Sequence, residues 1–117
     1  MKVFEKKSKP NRASGHFYYG DFGETPCAIS YVEANKGDEL GEERRHFSRN
    51  GYKYFAIERG RLTIEVGDAI VTIGPGKVLM VEPGEPHRIL GLEEAPCHFW
   101  VFGTVKDPTG QDKVEVD

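Results

Sequence analysis

The sequence predicts an all-β domain, a sandwich or closed barrel, from Pro26 onward. Three observations carry this. Short runs rich in Val, Ile, Tyr and Phe recur at close intervals, Gly, Pro and Asp split them, and helical periodicity fails throughout. Many short strands at such spacing bury their apolar faces by closing on themselves or by stacking.

The expected strands, in order, are 27–34, 46–49, 52–58, 61–66, 69–73, 77–82, 87–92 and 97–105. Arg59-Gly60 and Gly67-Asp68 each lie between two apolar runs and read as hairpin turns. Gly74-Pro75-Gly76 and Glu82-Pro83-Gly84-Glu85-Pro86 carry turn chemistry. Residues 36–45 contain helix formers but two glycines and no apolar face, so a charged loop is expected. The tail has a turn at Asp107-Pro108-Thr109-Gly110 and a short last strand near Lys113-Val116.

The expected organisation is an N-terminal arm, 1–22, and one barrel domain, 23–117. Residues 6–16 are polar and loosely structured in this reading. His16-Phe17-Tyr18-Tyr19-Gly20-Asp21-Phe22 concentrates four aromatics, which either cover the barrel mouth or meet a second subunit. A homodimer is therefore expected.

At 117 residues, 38% hydrophobic and 30% charged, the chain suits a single soluble domain. Its net charge of -3 argues against nucleic acid or an anionic membrane as partner. No run suits a membrane span, and Met1–Lys7 lacks the apolar core of a signal peptide, so a cytoplasmic location is expected. Cys27 and Cys97 sit in apolar runs and read as buried free thiols, with a disulfide left open.

Two spaced segments point to chemistry. One runs from His46-Phe47-Ser48 through Lys53 to Gly60, and the other from Gly76 to Glu82-Pro83-Gly84-Glu85-Pro86-His87. Strand alternation makes His46 and Ser48 face together, as do Lys53, Phe55 and Ile57. These segments resemble the two conserved blocks of the cupin family, over roughly residues 35–103. The resemblance implies a double-stranded β-helix, or jelly-roll, barrel. It also implies a set of three His and one Glu that holds a divalent transition metal (Fe, Mn, Ni, Co, Cu or Zn). In this chain His46 and His87 match two of the histidines. Ser48 stands in place of the other histidine, and Lys53 in place of the glutamate.

His46 and His87 are the candidate metal ligands, and with Lys53 the candidate catalytic groups. Ser48, Phe55, Glu82, His98 and Trp100 complete the expected ligand pocket. Further metal ligands are sought in Glu82, Glu85, His98 or Glu42. Blander roles stand beside these. The histidines can be ligand-free pocket residues, Lys53 can pair with Glu82 or Glu58, and Ser48 can be a polar filler. In Cys97–Phe102, either His98, Trp100 and Phe102 or Cys97, Phe99 and Val101 line the pocket. The function expected is binding of a small molecule. It is either turnover of a sugar or small carboxylate, with or without metal, or ligand sensing in a barrel that has lost its metal site.

Overall fold

The computed structural model describes residues 1–10, 12, 15–21, 23–38, 40, 44–106 and 111–116. Gly41, Glu42, Glu43, Phe22 and the 107–110 turn lie outside the described residues. The strands are β1 (Lys6–Ser8), β2 (His16–Tyr19), β3 (Ala28–Ala34), β4 (His46–Ser48), β5 (Lys53–Val66), β6 (Ala69–Ile73), β7 (Val78–Val81), β8 (His87–Gly103) and β9 (Lys113–Glu115). No helix occurs among the described residues.

All pairings are antiparallel, and two long strands, β5 and β8, organise them. The first half of β5 pairs β7 and the second half pairs β6. The second half of β8 pairs β3 along seven residues, while its first residue, His87, pairs His46 of β4. Each long strand thus serves two sheet halves, which roll into a jelly-roll barrel of the double-stranded β-helix type.

Arg59-Gly60 is not a hairpin turn. Residues 53–66 form one strand, which bends through register shifts between Ile57 and Leu62 opposite β8. Bulges re-aim a strand without reversing it. Gly60 has φ +80°, and a Cβ there would meet the carbonyl oxygens of Pro96 and Glu94 and approach Cys97 Cα to 2.8 Å. Only glycine permits that crossing of β5 over β8. Likewise 87–92 and 97–105 are one strand, through the cis Ala95-Pro96 bond. Gly67-Asp68 is the hairpin expected, with Val66 opposite Ala69.

The arm is part of the barrel wall. β1 and β2 form a hairpin, and β2 pairs β3, with Phe17 opposite Tyr31 and His16 opposite Val32. The core comprises Val32, Ala34, Leu40, Phe55, Ile57, Leu62, Ile64, Ile73, Val81, Cys97 and Phe99. Both cysteines are free, but Cys27 is exposed rather than buried. Burial in this core, with Glu94 nearby, pushes the Cys97 thiol up to about 11, so it is inert at neutral pH.

Candidate functional site

Only two polar side chains among the described residues are buried, His46 at 3% exposure and His87 at 2%. They sit directly opposite each other on β4 and β8, their ring centroids 4.5 Å apart. Phe55, on β5, presents its ring to His87 edge-on at 6.4 Å. Each imidazole Nδ1 faces a carbonyl two residues back, Arg44 at 2.8 Å and Glu85 at 3.0 Å. A carbonyl only accepts, so Nδ1 carries the proton in both rings and Nε2 holds the lone pair when the ring is neutral.

Lys53 Nζ lies 3.2 Å from His46 Nε2 and donates to it. Three strands, β4, β5 and β8, therefore bring two imidazoles and an amine to one wall. That wall belongs to a cavity of about 650 Å³, lined also by Ser48, Phe55, Ile89, Phe99 and Val101. The size suits a sugar- or nucleotide-sized molecule.

Ser48 faces this cavity, but its hydroxyl is engaged. It donates to the Asp112 carboxylate and accepts from Gly51 N at 2.7 Å. Burial works to raise the Asp112 carboxyl, yet the bonds from Ser48 and Asn50 outweigh it and hold the group below the ordinary carboxylate value. Ser48 thus fastens the tail, including β9, over the barrel.

Three expected pocket residues lie elsewhere. Glu82 is exposed at a turn, where its backbone N–H is capped at 2.8 Å by Glu85, so neither carboxylate is aimed at the histidines. His98 and Trp100 face outward, because alternation along β8 gives the inside to Cys97, Phe99 and Val101. Trp100 packs against Tyr31 at 4.7 Å, Tyr19 at 5.4 Å and Phe102 at 5.8 Å, and His98 against Tyr31 at 6.3 Å. Glu58 lies on that outer side too. It hydrogen-bonds Tyr31, whose hydroxyl is pushed up to about 12, first by burial and then by this carboxylate. Arg45 and Arg88 share Glu65 at 3.4 and 3.3 Å, so Arg45, at the end of the expected charged loop, is held against β5.

Lys9, Arg12, His16, Asp112 and Lys113 also line the cavity, beyond the residues to which the sequence points. They belong to segments that read as a polar arm and a tail. Only the pairing of β2 with β3 and β9 with β4 carries them to the mouth.

No group of three or more His, Cys, Asp or Glu able to hold a metal occurs among the described residues. The donor set does not fit a divalent ion either. His46 Nε2 would have to bind it, yet that nitrogen already faces the Lys53 amine. Like unit charges 4 Å apart repel by about 4 kcal/mol at an effective dielectric near 20, and a dication about doubles that.

Comparison with known proteins identifies the family and the fold. The family model described as Cupin domain matches residues 30–103. A 49-residue stretch, 40% of the chain, is 43% identical to an oxidoreductase of Arthrobotrys oligospora, of whose length it spans 19%. Among solved structures, Streptomyces Pac13 bound to uridine aligns over 97% of this chain and 84% of its own, at 15% identity and TM-score 0.66. Pac13 is described as a nucleoside dehydratase. A sugar phosphate isomerase of the cupin superfamily from Silicibacter pomeroyi aligns over 88% of this chain and 72% of its own, at 15% identity and TM-score 0.61. A cupin with a double-stranded β-helix fold from Methanocaldococcus jannaschii aligns over 87% and 88%, at 20% identity and TM-score 0.64.

Proposed function

Since the chain belongs to the family of cupin domains, we propose that its cavity is a metal-independent small-molecule site for a sugar or small carboxylate. In it His46, His87 and Lys53 handle protons. The observation that carries this is the Lys53 amine at 3.2 Å from His46 Nε2, with the His87 ring beside it. The neutral His87 imidazole takes a proton at Nε2 from the bound molecule, His46 holds the Lys53 ammonium in place, and that ammonium stabilises the negative charge that develops. The wall of Phe55, Phe99 and Val101 excludes water and strengthens both effects. The likeness to a nucleoside dehydratase and a sugar phosphate isomerase supports this chemistry, in that those relatives act on sugar-bearing molecules.

A non-catalytic sensing barrel is the second reading. It is favoured by Ser48, whose hydroxyl is engaged in fastening the tail through Asp112. A thermal-shift screen of sugars and carboxylates, with and without chelator, tests both. The expected result is a ligand-induced rise that chelator leaves intact and His87→Ala abolishes. Conversion of that ligand then falls by about 10²–10⁴-fold in the variant if the site is catalytic. A rise that vanishes with chelator contradicts the proposal, and binding without conversion selects the sensing reading.

The same reading includes cytoplasmic residence, supported by two free thiols, and a homodimer. Two outer rows support the dimer. One runs Phe17, Tyr31, Trp100, Ala56 and Val78, the other Ile29, Phe102, Tyr54 and Met80. Val78 is 64% exposed, Met80 43% and Phe102 37%, an apolar face that a second copy would cover. Sedimentation equilibrium should find a dimer that Met80→Glu with Phe102→Glu dissociates. A monomeric wild type would refute the dimer.

A further inference from the structure

We propose that the molecule this cavity takes is a phosphomonoester, its phosphate held at the mouth by the N-terminal hairpin and the C-terminal strand. The inference rests on reading the cavity as a small-molecule site. What carries it is an inversion of charge. The whole chain has a net charge of -3. Its cavity is lined by Lys9, Arg12, Lys53 and Lys113 against a single carboxylate, Asp112, among the described residues. That carboxylate is already engaged by the Ser48 hydroxyl and by Asn50, whose N–H lies 2.9 Å away. A concave surface of one sign focuses its field on whatever enters.

The cations are sorted by depth. Arg12 and Lys113 are exposed and Lys9 is half-buried, whereas His46 and His87 form the floor at 3% and 2% exposure. Lys53 lies between these levels, beside His46. The cavity therefore has a cationic rim and a floor of imidazole, Phe55 and Phe99. A ligand complementary to both ends is an anion joined to a largely neutral, polar body. A carboxylate offers two oxygens and one negative charge; three rim cations from two distant segments better suit the three oxygens and double charge of a phosphate dianion. The rim is also built. Lys9 N donates to His16 O at 2.9 Å, closing the hairpin, and His16 pairs with Val32 of the cavity wall.

Calorimetry on the full chain tests this with inorganic phosphate, with glucose against glucose 6-phosphate, and with uridine against uridine 5′-monophosphate. Inorganic phosphate is expected to bind, and a phosphorylated probe to bind at least about tenfold tighter than its parent, the equivalent of one charge-assisted contact. The advantage should shrink with added salt. It should vanish in the Arg12→Gln, Lys113→Gln double variant, whose melting temperature stays near wild type because both side chains are exposed. Parent and phosphorylated probes binding equally, or an advantage that survives in the double variant, would overturn the phosphate inference and leave the cavity reading standing. Failure of inorganic phosphate and of every probe to bind would overturn both.

Discussion

Replacing Lys53 by glutamate is expected to create a divalent-ion site in place of the amine. The substitution removes the cation facing His46 Nε2, 3.2 Å away, and leaves His46, His87 and a carboxylate on one wall. Two imidazoles and a carboxylate are a sufficient set for several transition metals. The electrostatic change is large, because about 4 kcal/mol of repulsion per unit charge at 4 Å becomes attraction of similar size. Much of this is lost to desolvating the ion, so the expected gain is an affinity for Zn²⁺ or Ni²⁺ at least about a hundredfold above wild type. Calorimetric titration of both proteins checks it. Equal affinities would mean that the Lys53 amine does not occupy the position between the histidines and a metal.

Phe99→Ala is expected to cost about 3–5 kcal/mol, a large part of the stability of about 5–15 kcal/mol usual for a domain. Phe99 is fully buried, pairs with Val32 and Ile57 on either side, and forms part of the cavity wall. Its removal leaves a void that two hydrogen-bonded neighbours cannot close. Trp100→Ala is expected to cost less, although it deletes a larger ring, because Trp100 is only partly buried on the outer face. Urea midpoints for the two variants, measured at the same protein concentration, give the comparison. A greater loss from Trp100→Ala would reverse the inside and outside of β8.

That pair of variants marks the limit of what the sequence discloses. Alternation separates Cys97, Phe99 and Val101 from His98, Trp100 and Phe102, but both sets carry large aromatics, and periodicity does not say which set faces in. Contact with β5 and β3 decides it. Gly60 misleads for a related reason. A glycine with positive φ serves a hairpin and a tight strand crossing alike, and only the proximity of Pro96 and Glu94 distinguishes them. The histidines were legible because the turn at 82–86 and the strand starting at His46 place each at the first residue of a strand, one opposite the other. Lys9, Arg12 and Lys113 were not, because they reach the cavity through pairings between strands far apart in the chain. The cupin blocks therefore point to the floor of the site and say nothing of its rim.

The state of the two imidazoles is open to direct observation by long-range ¹H–¹⁵N correlation of the histidine rings, recorded at alkaline pH with and without equimolar Zn²⁺. If these three side chains form a proton-handling unit with no place for an ion, both rings show the proton on Nδ1, and zinc leaves their Nε2 signals where they were. An Nε2-protonated ring, or a zinc-induced shift at both Nε2 atoms, would contradict it.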